Sequence, residues 1–519
     1  MGSVTNLRQA TVRAVTMSII LAILTASLTG CSIGKSSSGP ARDYWPTEGW
    51  RNTTPEAQGF DSEKLAEALL TIRKNIKLHS ILIIRDGHVV VDAYFYPYDG
   101  KSPHELASVT KSIMTTLIGI AADKGKLKLD QPMLSFFPDA TIANRDAAMD
   151  KITVRHLTNM ANGLESTGME QDEATLAQME ASDNWVQFAL DRKVVSEPGK
   201  RFVYDSPGMH ILSAILQKAT GMTALEFARQ NLFEPLGIRD VIWPADPQGV
   251  TDGFSNIMLY PADAAKIGYL FLNKGRWDGK QIVSQEWVEA ATRRQIEVGN
   301  GDGYGYGWWT VPENNGEYSA VGRGGQYIRV IPFLDAVIVV SSQDTEWDAF
   351  VPYLVKALVD REKPLPANPA GEEKLKQALL AIQQPPAPQP VPPLPEMAKT
   401  ISDKTFELES NPFHLATLRL EFDDSAEAVM HLTFDDGRPA WTVPLGLDGV
   451  YRMYPGEFNL PAGGRGRWED GDTFLGQVDT ISNRETYELS TDFQGDTIKV
   501  TGREGTHEAG FTVGGKLKR

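Results

Sequence analysis

Ser108-Val109-Thr110-Lys111 carries the most chemically promising spacing in this chain. On a helix, positions i and i+3 share a face, so the Ser108 hydroxyl and the Lys111 amine approach each other. A helix N-terminus favours negative charge on Ser108, and burial disfavours the ammonium form of Lys111. A partly neutral amine beside a hydroxyl is one way to make a nucleophile. The same Ser-x-x-Lys spacing recurs at Ser32 and Lys35, in a Ser/Gly-rich stretch with no pocket around it. A chain of this length holds about one or two such motifs by chance. On spacing alone, Ser108 as a mere helix cap with Lys111 reaching solvent is an equal alternative. Eight histidines are scattered without a His-x-x-x-His pair, which gives a His-based triad or a zinc site little support. The single cysteine, Cys31, excludes an intrachain disulfide or a thiolate metal cluster. No metal and no cofactor is expected.

The elements that must position this pair are legible in outline. Ile113 to Ala122 is apolar enough for a buried helix ending near Gly125. A helix is predicted from Phe60, capped by Ser62 and striped by Leu65, Leu69, Leu70 and Ile72. Ile81–Ile84 and Val89–Val91 flank Asp86-Gly87, a strong hairpin signal. Tyr327–Ile331 and Ala336–Val340 flank Pro332 as a second hairpin, and Trp347–Val359 closes the region as a helix. Strands at both ends with helices between them predict an α+β domain over 50–365, one antiparallel sheet flanked by helices. Seven prolines within 385–395 cannot sit inside a helix or sheet, so 366–399 reads as a stiff linker. Beyond it, Leu415–Phe422, Ala428–Phe434, Trp441–Leu445, Thr486–Leu489 and Thr497–Thr501 are short β-like runs. They predict a small all-β barrel or sandwich over 400–519.

Composition narrows the class. The 519 residues leave room for two to four domains. With 41% hydrophobic and 23% charged residues, neither a wholly disordered chain nor a polytopic membrane protein fits. A net charge of −16 argues against nucleic acid, whose phosphates need a basic surface. At the start, Arg8 and Arg13 precede an apolar run from Ala14 to Leu28 that ends in Leu28-Thr29-Gly30-Cys31. These are the ingredients of a secretory signal. The last four residues resemble a bacterial lipobox, which implies a signal peptide over 1–30 and a lipid on Cys31. A flexible tether over 31–49 follows, with the membrane as partner through that lipid. Ser32 after the cysteine implies the periplasmic side of the outer membrane in the bacterial cell envelope.

Five ordered pieces carry a family likeness. They are Leu106-Ala107-Ser108-Val109-Thr110-Lys111-Ser112 and Ile152–Leu157 running into Asn162-Gly163-Leu164. Pro198-Gly199 before Phe202-Val203-Tyr204-Asp205-Ser206, Gly303–Trp309, and Gly322-Arg323-Gly324-Gly325-Gln326 complete the set. In this order they resemble the serine hydrolases of the class C β-lactamase, penicillin-binding protein and esterase superfamily, and within it the branch that includes 6-aminohexanoate-dimer hydrolases. The resemblance implies a β-lactamase/transpeptidase-like fold and an acyl-enzyme on Ser108. Lys111 would share its proton, and Tyr204 would act as base toward Ser108 and then as acid toward the leaving group. Ser206 stands where the family often has Asn. The third motif departs from the family: Ala320-Val321-Gly322 lacks the cation that penicillin-recognising relatives aim at a substrate carboxylate. The oxyanion donors would be the N–H groups of Ser108 and Arg323, with Gly322 and Gln326 beside the substrate. One of Trp308 and Trp309 would wall the cleft and the other the core. The implied partner is a small amide or ester. The alternatives are a β-lactamase, a D-alanyl-D-alanine carboxypeptidase, or a lipid-anchored binding protein without turnover.

Overall fold

The computed structural model describes residues 42–168, 174–299, 301–311, 316–423, 426–505 and 510–519. Cys31, the signal over 1–30 and the tether up to residue 41 lie outside these residues; the rest of the expected tether, 42–49, is not flexible but packed, with Arg42 bonded to both Asp335 carboxylate oxygens and Trp45 against the core. Asp86 and Gly87 both adopt positive φ and join Leu78–Arg85 to His88–Tyr94 in a two-residue hairpin, as their types predict. This hairpin sits beside Ala336–Ser342, which pairs with Gln326–Ile331, and that strand pairs in turn with Glu317–Gly322. Trp309–Val311, Asp302–Tyr304 and Ile296–Gly299 extend that edge, and Arg51–Asn52 adds a parallel strand at the other, giving nine strands. The sheet gathers chain segments from both ends of the domain, as expected of the α+β order.

Strand periodicity divides the core in two. Leu82 and Ile84 pack into one apolar cluster, Ile81 and Ile83 into the other. Val337 and Val339 alternate with Ile338 and Val340 in the same way. Side chains on a strand alternate between faces, so runs of Ile and Val without polar residues mean that both faces are covered. One face carries the buried helices Val109–Asp123, Ser206–Thr220 and Pro261–Leu272. The other carries Ser62–Asn75, Trp347–Val355 and Pro369–Ile382.

Two sequence expectations need correction here. Asp61, not Ser62, caps the first of these helices, its carboxylate accepting from the Lys64 N–H; Ser62 is already helical and its hydroxyl bonds Glu56. The region 366–399 is not linker throughout, because Pro369–Ile382 is a 14-residue helix. Its Leu375, Ala378 and Ile382 complete the second apolar cluster. Only the proline run that follows is extended.

Ten strands from Lys404–Leu408 to Gly510–Leu517 form the C-terminal region, five more than the apolar runs predict. Nine close into a barrel where Trp441–Gly446 meets Pro461–Trp468 through a parallel Gly446–Arg465 pair; Arg452–Pro455 adds on outside. Alternate residues such as Ile498, Val500, Phe511 and Val513 fill the interior. Residues 42–519 form one compact unit. No helix among the described residues is long and apolar enough to cross a membrane.

Burial builds a pH dependence into this fold. His79 Nδ1 lies 2.8 Å from His104 Nε2, and His104 Nδ1 donates to the Glu105 carbonyl at 2.7 Å. His79 must therefore be the donor in the pair, with His104 neutral. Burial pushes His104 down to about 4 and His79 well below the usual range. Between pH 6.5 and 4 the unfolded chain binds the protons first, so stability is present above 6.5 and lost on acidification. A drop from 6.5 to about 4 corresponds to about 3 kcal/mol from His104. Buried Asp252 and Asp479, both pushed up to about 6, act oppositely and lose stabilisation as pH rises from about 4 to 6. The contribution is isolated by urea titration of wild type against His104→Asn. The wild type is expected to lose about 3 kcal/mol more than the variant between pH 7 and 4; parallel curves contradict this.

Candidate active site

Ser108 stands at the N-terminus of the helix Val109–Asp123, whose residues 109–121 are all buried. The hydroxyl does not cap the helix. Lys111 does not reach solvent either: it is 2% exposed, and its Nζ donates to Ser108 Oγ at 2.7 Å and to the Phe254 carbonyl at 2.9 Å. The alternative that left this motif open is thereby removed. Ser108 itself is half-buried. Among the described residues no group accepts its N–H.

The Lys111 Nζ also lies 4.8 Å from the centroid of the Tyr204 ring, over its face. A cation there stabilises the ring's electron density and any phenolate formed from it. Tyr204 is buried and stacks on Trp309 with ring centroids 6.3 Å apart and planes 22° apart. Trp308 is turned into the core against Phe271 and Tyr318. The tryptophan pair divides between site and core as its position implies.

The motif residues around Tyr204 brace it. Asp205 forms a bidentate pair with buried Arg192, at 2.6 and 3.1 Å, and accepts from Asn162 Nδ2 at 2.8 Å. Thr153 and His156 form the capping box of the short helix Val154–Thr158 that leads into Asn162. The Gly303–Trp309 segment backs the helix Val109–Asp123: Ser112 Oγ donates to the Gly307 carbonyl at 2.5 Å and Thr115 Oγ1 to that of Tyr306 at 2.9 Å. Ser206 is buried at the first turn of its helix and lines a crevice of about 10 Å³ with Tyr204, Ser166 and Thr175.

The third motif arrives from the sheet. Trp309–Val311 pairs only with 317–319 of its neighbour, so the edge of Ala320-Val321-Gly322 on that side carries no strand among the described residues. Gly322 lies so close to the turn before Ser108 that a Cβ there would collide with the Leu106 carbonyl. Arg323, the next residue, is exposed. Gln326 is 0% exposed, and its amide is used within the fold: Nε2 donates to the carbonyls of Ser342 at 2.5 Å and Arg323 at 3.4 Å, while Oε1 accepts the Ser342 N–H. These bonds tie its amide to the Arg323 turn.

Several residues that contact Lys111 or the turn before Ser108 belong to none of these motifs. The Phe254 carbonyl is aimed at Lys111 by Asp252, whose carboxylate accepts the N–H groups of Phe254 and Ser255 and the Asn256 amide. The string Asp252-Gly253-Phe254-Ser255-Asn256 is a turn signature and was the available signal. Glu105, 1% exposed, accepts the Ala107 N–H at 2.6 Å and the Asn256 N–H at 3.2 Å. A cavity of about 600 Å³ lies between 389–395 and the barrel strands and touches neither Ser108, Lys111 nor Tyr204. The site is therefore identified by its side chains.

The family model described as beta-lactamase matches residues 72–360, more than half of the chain. The chain belongs to the beta-lactamase family. It is 25% identical over 285 residues to a 6-aminohexanoate-dimer hydrolase of Paenarthrobacter ureafaciens, covering 50% of this chain and 71% of that protein. It is 24% identical over 276 residues to penicillin-binding protein 4 of Amycolatopsis lactamdurans, covering 44% and 69%. A solved structure described as a putative 6-aminohexanoate-dimer hydrolase from Bacillus anthracis superposes with a TM-score of 0.52 at 20% identity. It covers 61% of this chain and 89% of that one, a likeness of fold. Hydrolases, acyltransferases and penicillin-binding proteins stand among the relatives, so this beta-lactamase-family chain is a hydrolase at family level.

Proposed function

We propose that this beta-lactamase-family protein is a serine hydrolase that cleaves a small amide or ester through an acyl-enzyme on Ser108. The observation that carries the reading is the buried Lys111 amine, 2.7 Å from Ser108 Oγ and over the Tyr204 ring. Ser108 Oγ forms a bond to the substrate carbonyl carbon as its proton passes to the Lys111/Tyr204 pair. The N–H groups of Ser108 and Arg323 hold the resulting oxyanion, where aimed donors are among the largest catalytic contributions. The pair returns the proton to the departing amine or alkoxide, and water then cleaves the acyl ester by the same route. The name of the Paenarthrobacter relative supports an amide among the substrates. The absence of a cation at Ala320-Val321-Gly322 weighs against substrates that must present a carboxylate there. Lipid attachment at Cys31, on the periplasmic side of the outer membrane, belongs to the same proposal. It rests on the Leu28–Cys31 motif and is tested by the intact mass of the mature, membrane-extracted protein.

A fluorophosphonate probe tests the enzyme reading. Wild type is expected to label at one probe per chain and Ser108→Ala not at all. Equal labelling of the two, or none of either, contradicts it and favours a binding protein on this fold.

A further inference from the structure

The barrel reaches into the nucleophile turn. Between the barrel strands Thr473–Asp479 and Thr486–Gln494 runs the loop 480–485, and its Ile481, Ser482 and Arg484 are buried. Ser482 accepts the Glu105 N–H on its carbonyl at 2.8 Å, and its hydroxyl lies 2.6 Å from that of Ser102. Arg484 Nη1 lies 3.3 Å from Glu105 Oε2, with both side chains more than nine-tenths buried. The other oxygen of Glu105 accepts the N–H of Ala107, the residue before Ser108. Ala107 has φ +47, a left-handed conformation that costs a non-glycine residue about 1–2 kcal/mol and persists only where surroundings impose it. The same arginine packs on the oxyanion side: a Cβ built on Gly324, one residue past Arg323, would lie 3.2 Å from Arg484 Cδ.

We infer that Arg484 of the barrel is a positioning residue for the Ser108 nucleophile, acting through Glu105. This rests on the reading of Ser108 as the acylated residue. A buried carboxylate left without its cation is destabilised, and its hold on the strained Ala107 turn weakens with it. The barrel is then a working part of the site and not a spacer. Misplacement of reacting atoms by about 1 Å costs about 100-fold in rate.

The test measures fluorophosphonate acylation rates and p-nitrophenyl ester kinetics on the full chain. Arg484→Met is expected to slow acylation about 100-fold, with the loss in kcat and KM moving less than about threefold; Arg484→Lys is expected to recover to within about tenfold of wild type. A folded Arg484→Met that labels within twofold of wild type overturns the inference and leaves the serine mechanism standing. Where Arg484→Met does not fold, Glu105→Gln is compared with Glu105→Gln/Arg484→Met, which leaves no unpaired buried charge. Equal rates support action through Glu105, and a further 100-fold loss in the double variant overturns it. A wild type that takes up no label overturns the functional reading and this inference together.

Discussion

Lys111→Met is expected to lower kcat/KM for an activated ester by about 1,000- to 10,000-fold while leaving the protein folded. The amine is the only donor described on Ser108 Oγ, and methionine preserves the length and burial of the stem while removing that donor and the charge over Tyr204. The stability change should be small because two effects oppose each other. The Phe254 carbonyl loses a buried partner, which costs about 1–3 kcal/mol, whereas an ammonium group no longer has to be desolvated. Steady-state kinetics with urea unfolding checks both parts. A Lys111→Met protein that retains more than a tenth of wild-type kcat/KM would show that proton transfer from Ser108 does not run through this amine.

Tyr204→Phe is expected to cost about 100- to 1,000-fold in kcat/KM. The ring keeps its stack on Trp309 and its place under Lys111, so the loss isolates the phenolic oxygen. Acylation by a fluorophosphonate and turnover of an amide should not fall equally. An amine leaving group needs a proton from the tyrosine, so amide turnover is expected to fall further than labelling by a probe with a good leaving group. Equal losses for amide and activated ester would remove Tyr204 from the role of acid.

The parts of this site that could be seen in the sequence are those fixed by local geometry. Ser108 and Lys111 lie one helical turn apart, and the helix behind them is written in the apolar run from Ile113 to Ala122. Tyr204 is some ninety residues away, and only its place in an ordered set of motifs singled it out. Glu105 and Arg484 were not legible because their meaning depends on a contact across 379 residues. Spacing holds no information about such a pair. Gln326 shows the converse: it sits in one of the motifs that carry the family likeness, and its amide is bonded to Ser342 and Arg323, which spacing does not reveal.

The fold was legible to a similar degree. Hairpins around Asp86-Gly87 and Pro332 follow from turn chemistry and β-branched flanks, and both form. Pro461–Trp468 was hidden because Pro-Ala-Gly-Gly-Arg-Gly reads as a loop. In the barrel, a Cβ on Gly464 would meet Val443 Cγ1 at 2.5 Å, and one on Gly466 would meet Phe474 Cζ at 2.5 Å. Those glycines serve tight packing at the barrel's closure rather than a turn. The helix Pro369–Ile382 was masked by its nearness to the proline run, although its spacing of Leu375, Ala378 and Ile382 is helical.

The most direct test of the central claim is a rapid-mixing experiment with a p-nitrophenyl ester, followed by acid quench and peptide mapping. An acyl-enzyme on Ser108 predicts a burst of one p-nitrophenolate per protein chain, with the acyl mass on the peptide containing Ser108 and no burst from Ser108→Ala. A full burst whose acyl group maps to any other residue would contradict the account.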